Sequence, residues 1–207
     1  MATTNKKEKL KTNGVSPKFR LSFPNLIKPK AGFKNQEPSY SVQMLYKKDG
    51  NEIEMEKFKE FKRLAFNAAI NKWKTKENFP EGMKWPWKDA DAHKSMKKLA
   101  SHKGMFAIEA RTYNRPGTLG MDKQECDPKT LYAGCYAVAS VNFYAYGDDG
   151  DANVGVSCGL NNVCMVANGD KLGGATNAKD DFADLEIEEE DFKEDGDSDD
   201  SESDDDY

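Results

Sequence analysis

Histidine and cysteine are scarce, and both shortages narrow the chemistry open to this chain of 207 residues. Its two histidines, His93 and His102, lie nine apart with no matching ligand nearby, and its four cysteines, at positions 126, 135, 158 and 164, include no CxxC pair. Zinc sites and disulfide frameworks need such pairing, so free, buried thiols are expected. No Ser/His/Asp or Cys/His set can be assembled from so few imidazoles, which argues for a binding protein without metal or cofactor and against an enzyme. No stretch approaches the roughly 18 consecutive apolar residues of a membrane span, and the N-terminus, with Lys6, Lys7, Lys9 and Lys11, lacks the apolar core of a signal peptide. An intracellular protein that is not embedded in a membrane is expected.

Charge, by contrast, is plentiful and unevenly placed. The totals are 31 Lys+Arg and 36 Asp+Glu, for a net charge of −5. Between Asp180 and Tyr207 lie 17 of the acids and a single base, Lys193. Removing these leaves 30 bases and 19 acids in residues 1–179, so a body of +11 carries a tail of −16. A same-sign field gathers counter-charged polymer and raises its encounter rate, so this asymmetry points to nucleic acid or to a basic partner.

Patterning divides the chain into three parts. Residues 1–15 are rich in Lys, Thr and Asn and are expected to form a mobile basic arm, because they bury too little surface to offset ordering entropy. Strand alternation then places Phe19, Leu21 and Phe23 on one face against Lys18, Arg20 and Ser22, with Pro24 and Pro29 limiting pairing to an edge or a bend. Tyr40, Val42, Met44 and Tyr46 mark a second strand, closed by the Asp49-Gly50 turn. From Ile53 to Trp73 the period becomes helical, with Phe58 and Phe61 on the apolar stripe and Phe66 also assigned to core. A Trp85-Pro86-Trp87 knuckle and a short second helix over 90–100 complete a helical insertion at about 53–100. Strands return at Met105–Tyr113, with Phe106, Ile108 and Ala110 inward, and at Cys135–Tyr146, whose odd positions are all apolar and whose even positions include Tyr136, Tyr144 and Tyr146. A last strand through Val154 to Leu160, extended by Val163–Val166, gives an all-β core of about five strands, better suited to a small Greek-key barrel than to an α/β sheet. Residues 16–179 are thus expected to be one domain and 180–207 an acidic tail held unfolded by like-charge repulsion.

Several motifs resolve into simpler features. Tyr146-Gly147-Asp148-Asp149 spells the two-carboxylate hairpin of viral polymerase palms, but the chain is too short for such an enzyme, and Asp and Gly suit a tight turn between two strands. Asp148, Asp149, Asp151 and Asn153 lack the closing Glu of a calcium loop. Gly169–Gly174 has the wrong spacing for a phosphate-binding loop and is read as a connector.

What remains is a basic surface interleaved with aromatics, the physical requirement for gripping single-stranded nucleic acid. Cations neutralise phosphates and release counterions, while bases stack on rings whatever their identity. The outward-facing candidates are Arg20, Lys28, Lys30, Lys103, Arg111, Tyr113, Arg115, Tyr136, Tyr144 and Tyr146, with Trp85 and Trp87 on the knuckle. In the tail, Phe182 and Phe192 and the terminal Asp204, Asp205, Asp206 and Tyr207 form candidate partner-binding elements. A tethered polyanion can also compete for the basic groove at high effective concentration.

Specific strings sharpen this reading. Leu21-Ser22-Phe23-Pro24-Asn25-Leu26, Tyr132-Ala133-Gly134-Cys135-Tyr136, Val141-Asn142-Phe143-Tyr144-Ala145-Tyr146, the run Gly155–Val163 and the run Gly169–Gly174 resemble the phage single-stranded-DNA-binding proteins formerly catalogued as a domain of unknown function. The resemblance covers about residues 15–182. It implies an OB-fold that coats single-stranded DNA during phage replication, recombination and repair in the cytoplasm of the infected bacterial host, with no catalysis and no cofactor. It also implies that the tail contacts polymerase, helicase or nuclease partners, although Tyr207 stands where phenylalanine is more usual. Two rival readings are an RNA-binding OB protein and an acidic-tailed chaperone or adaptor for basic proteins.

Overall fold

Alternating apolar residues build the strands, and one amphipathic helix covers the open end of the sheet they form. The computed structural model describes residues 8–31 and 37–173; the expected tail, 180–207, lies outside the described residues. In chain order the elements are β1 (Asn13–Val15), β2 (Phe19–Lys30), β3 (Ser39–Lys47), α1 (Glu52–Trp73), β4 (Trp87–Asp89), β5 (Met105–Thr112), β6 (Gly117–Leu119), β7 (Tyr136–Tyr146) and β8 (Gly155–Ala167). Five of these strands close a ring. β2 pairs with β3, β3 with β5, β8 with β7 and β7 with β2, all antiparallel, while β5 and β8 meet in parallel through Ala110↔Cys158 and Arg111↔Gly159. Counted within the ring, the strands run first, second, third, fifth, fourth, which makes the body a five-stranded Greek-key barrel, an OB-fold.

The parallel seam is short, and an inserted segment fills the gap beside it. The Lys84 N–H donates to the Val154 carbonyl at 2.9 Å and the Lys84 carbonyl accepts from Val156 at 2.8 Å, while β4 pairs with Ile108, Ala107 and Phe106 of β5. Inside the ring sit Phe19, Leu21, Val42, Met44, Ile108, Ala110, Ala137, Ala139, Val141, Phe143, Val156, Cys158 and Leu160. Burial pushes the Cys135 thiol up to about 11 and that of Cys158 higher still; all four cysteines are free, Cys126 and Cys164 being only half-buried.

Helix α1 lies between the second and third barrel strands in sequence. It opens on a capping box, in which the Asn51 carboxamide oxygen accepts from the Glu54 N–H and the Glu54 carboxylate accepts from the Asn51 N–H. It ends at Lys74, whose φ of 75° turns the chain while its N–H still bonds Ile70. Phe58, Phe61, Ala65, Ala68 and Ala69 are buried against the barrel, with Tyr46 4.6 Å from the Phe58 ring and Phe143 5.2 Å from the Phe61 ring. Among the described residues no helix is long and apolar enough to cross a membrane.

Four sequence expectations are corrected here. The basic arm does not extend to residue 15, because Asn13–Val15 pairs with Asn142, Val141 and Ser140 of β7 and two helix amides hold the preceding backbone. Asn71 bonds both the N–H and the carbonyl of Leu10, at 2.9 and 2.8 Å, and Asn67 donates to the Lys11 carbonyl at 2.7 Å. The second helix over 90–100 is replaced by bends and two short 3₁₀ turns, Met96–Lys98 and Ala100–His102. There the Asp89 carboxylate accepts from the Asp91 and Ala92 N–H groups, Asp91 accepts from Gly104, and Lys48 bridges both acids, so local side-chain bonds displace helical ones. Phe23 does not face the core: β2 shifts register between Ser22 and Asn25, Phe23 takes φ = 43°, and Ser22 is buried in place of it. Phe66, assigned to the core, is only half-buried and instead seats the tryptophan knuckle.

Candidate functional site

On the outside of the barrel, the face formed by β2, β3 and β5 is set by strand alternation. Ser39, Ser41, Gln43 and Leu45 of β3 lie opposite Arg111, Glu109 and Ala107 of β5, in the pairs Ser41↔Arg111, Gln43↔Glu109 and Leu45↔Ala107. One end of this face is covered, because Leu45 and Ala107 form a small second core with Ala90 and Met96. The other end is open. It holds a groove of about 510 Å³ bounded by Phe23, Asn25 and Lys30 of β2, by Ser39, Ser41 and Gln43, and by Glu109 and Arg111.

Beneath the groove a polar network fixes the floor. The buried His102 ring has its Nε2 2.6 Å from Gln43 Oε1 and 3.3 Å from Ser22 Oγ, and its Nδ1 3.0 Å from Ser101 Oγ. Burial lowers the His102 pKa, so the ring is held neutral. The Asn25 amide donates to Ser41 Oγ at 3.0 Å and to the Phe23 carbonyl at 3.3 Å, clamping the bulge to β3.

The wall carries charge and aromatic surface together. Arg111 donates to Glu109 from Nη2 at 2.8 Å and from Nε at 3.0 Å; Glu109 first, then the neighbouring Tyr113 and Tyr144, hold its pKa above the ordinary value. Tyr113 is 68% exposed and Tyr144 48%. Tyr146 follows on β7, its hydroxyl pKa raised by partial burial and by Tyr144. The β7–β8 turn is the expected hairpin: Gly147 and Gly150 take positive φ, the Asp148 N–H donates to Asp151 at 2.7 Å, and Lys72 pairs with Asp148 at 3.1 Å. Among the described residues no group of acids, His or Cys is arranged to hold a metal ion.

Among the described residues, those singled out by sequence fall into four places. Lys30 and Arg111 line the groove, Tyr113 and Tyr144 stand near Arg111, Tyr146 is near Tyr144, and the exposed Lys28 and Arg115 lie on the chain segments next to it. Arg20 and Tyr136, paired across β2 and β7, sit apart under residues 168–172. Arg20 donates to the Asp170 carbonyl at 2.9 Å, the Tyr136 ring packs on Gly169, and Lys18 stands 5.3 Å over that ring. Trp85 and Trp87 stack on each other at 4.7 Å and pack on α1 through Phe66, with Lys62 4.7 Å over Trp87, so they are half-buried rather than displayed. Lys103 is exposed and lies near Asp91. The tail candidates Phe182, Phe192, Asp204, Asp205, Asp206 and Tyr207 lie outside the described residues. Sequence reasoning missed Phe23, Asn25, Ser41, Gln43 and Glu109; the one signal available was Phe23-Pro24 inside a strand, where a missing N–H forces a break in the ladder.

The groove occupies the outer face of the second and third barrel strands, which is where OB-folds take oligonucleotides. Known proteins agree with this architecture. The family model described as the single-stranded-DNA-binding protein of Enterobacter phage Enc34 matches residues 9–193. Protein p50 of Acyrthosiphon pisum secondary endosymbiont phage 1 is 27% identical over 197 residues, which span 88% of this chain and 96% of that protein. The solved structure of the bacteriophage Enc34 single-stranded DNA-binding protein in complex with single-stranded DNA is similar with a TM-score of 0.62 at 22% identity, over 80% of this chain and 96% of that one. The single-stranded DNA-binding protein gp2.5 of bacteriophage T7 is similar with a TM-score of 0.50 at 13% identity, over 86% of this chain and 98% of that one. These likenesses carry the fold, and the family match spans most of the sequence: the chain belongs to the Enc34 family of phage single-stranded-DNA-binding proteins.

Proposed function

We propose that this protein binds single-stranded DNA without regard to sequence and serves phage DNA replication, recombination and repair in the cytoplasm of the infected bacterial host. The observation that carries the reading is the open groove on β2, β3 and β5, where Lys30 and Arg111 stand beside exposed Tyr113 and Tyr144. Cations there neutralise phosphates, and rings offer faces on which any base can stack. Binding, not catalysis, is the activity: the strand is held extended, kept from pairing with itself and shielded.

The tail adds regulation. With −16 against a body of +11, it competes with DNA for the same cations at an effective concentration set by its tether. DNA then displaces the tail and frees its aromatic, acidic end for polymerase, helicase or nuclease partners. The test is an anisotropy titration of labelled dT oligomers against the full chain and a 1–179 truncation at two salt concentrations. Tight, salt-sensitive binding that strengthens on truncation is expected. Absence of binding by both forms refutes the groove; equal affinity of the two forms at low salt refutes the competition.

A further inference from the structure

Phe23 is held in an unfavourable backbone conformation for no gain in burial. Its φ of 43° lies in the left-handed region that favours glycine. Among the described non-glycine residues only Lys74 and Lys123 share a positive φ; Lys74 ends a helix and Lys123 sits in a turn, whereas Phe23 interrupts a strand. The bulge throws the ring outward, 54% exposed, at the edge of the groove. Strain of this kind persists only where the surroundings enforce it, and here they do: Asn25 ties the Phe23 carbonyl to Ser41, and the His102 ring lies 5.7 Å from the Phe23 ring at 37°. His102 is itself fixed by Ser22, Gln43 and Ser101. An apolar ring displayed at such cost beside Lys30 and Arg111 has the form of a stacking platform flanked by phosphate-neutralising cations.

We infer that Phe23 is a nucleobase-binding site: its exposed ring stacks an unpaired base of single-stranded DNA, with His102 as the positioning residue that sets the ring's attitude. The inference rests on the binding reading above and adds to it a residue that strand alternation assigns to the core. Because every base presents a π-face, the site accepts any of them.

The experiment uses the full-length protein and labelled dT oligomers across a salt series, with Phe23→Gly, Phe23→Leu and Phe23→Tyr. Loss of one stacked base weakens binding about 5- to 150-fold in Phe23→Gly and Phe23→Leu, while Phe23→Tyr stays close to wild type. The slope of affinity against salt stays the same in all three, since no phosphate contact is removed. Thermal unfolding separates stacking from structure: Phe23→Gly melts at or above the wild-type temperature, because glycine accepts the positive φ. Photocrosslinking of an oligomer carrying 5-iodouracil labels the peptide that contains Phe23. If Phe23→Leu binds within about twofold of wild type, a range too small for a lost stack, the inference is overturned and the groove stands. If Phe23→Gly melts well below wild type, the ring serves the fold and the inference is again overturned. If wild type itself does not bind dT, the binding reading falls and the platform with it.

Discussion

Replacing Arg111 with alanine changes the salt dependence of DNA binding by a definite amount. Four exposed cations stand on the strands that line the groove or on the turn next to them: Lys28 and Lys30 on β2, Arg111 on β5, and Arg115 in the turn that follows, with Lys30 and Arg111 in the groove wall itself. If each neutralises one phosphate of a single strand, log K falls against log salt with a slope of about −2.8, at roughly −0.7 per contact. Raising salt from about 50 to about 200 mM then weakens the wild type roughly 50-fold. Without Arg111 the slope becomes about −2.1 and the same step weakens binding only roughly 20-fold. The variant also frees Glu109, whose carboxylate is 2.8 Å from Arg111 Nη2 and otherwise neutralised by it, so affinity at low salt drops further than one lost contact explains. Adding Glu109→Gln recovers that extra part. Anisotropy of a labelled dT oligomer over a salt series measures both quantities. An Arg111→Ala slope equal to the wild-type slope would refute the placement of phosphate at this wall.

Other predictions concern the fold that carries the groove. Gly155→Ala puts a methyl group into the Lys84 backbone, whose N–H and carbonyl bond β8, and costs about 1 to 3 kcal/mol of stability by overpacking. Urea denaturation checks this, and an unchanged midpoint contradicts the seam described between Lys84 and the start of β8. His102 links stability to pH. Burial lowers its folded pKa below the ordinary 6.5, so the unfolded chain binds the proton more readily, and stability falls as pH drops through about 6.5 and levels off below the folded value. Urea midpoints for wild type and His102→Gln at about pH 7.5 and 5.5 test this: the variant loses the dependence, and an equal dependence in both refutes it. Asp89 and Asp91 act in a separate window, because Lys48 holds both below the ordinary 3.8; their contribution is present above 3.8 and is lost as pH falls through their depressed values.

How much of this was legible in the sequence depended on whether one face of a strand was buried. Strands β5 and β7 carry strict alternation because their inner residues, such as Ile108, Ala110, Val141 and Phe143, fill the barrel while Glu109, Arg111, Tyr144 and Tyr146 face out, and the wall of the groove followed from that period. Helix α1 was legible for the same reason at a different period. Phe23 was not, since a bulge resets the alternation and its signal is one proline. Trp85 and Trp87 looked like free stacking surface because nothing local reveals that Phe66, on a distant helix turn, covers them. The segment 90–100 reads as a short helix, but its Ala90 and Met96 pack with Leu45 and Ala107 across the sheet, a pairing visible only in the folded chain. The two asparagines that pin Leu10 and Lys11 likewise read as ordinary polar helix positions.

The central claim is that single-stranded DNA lies in the groove on β2, β3 and β5. Hydrogen–deuterium exchange of the full chain with and without a saturating dT oligomer tests it directly. Slower exchange is expected in the bulge around Phe23–Asn25 and along Ser39–Gln43 and Glu109–Tyr113, with no change along the buried stripe of α1. Protection concentrated instead on the Trp85–Trp87 knuckle and α1, with the groove strands unchanged, would contradict it.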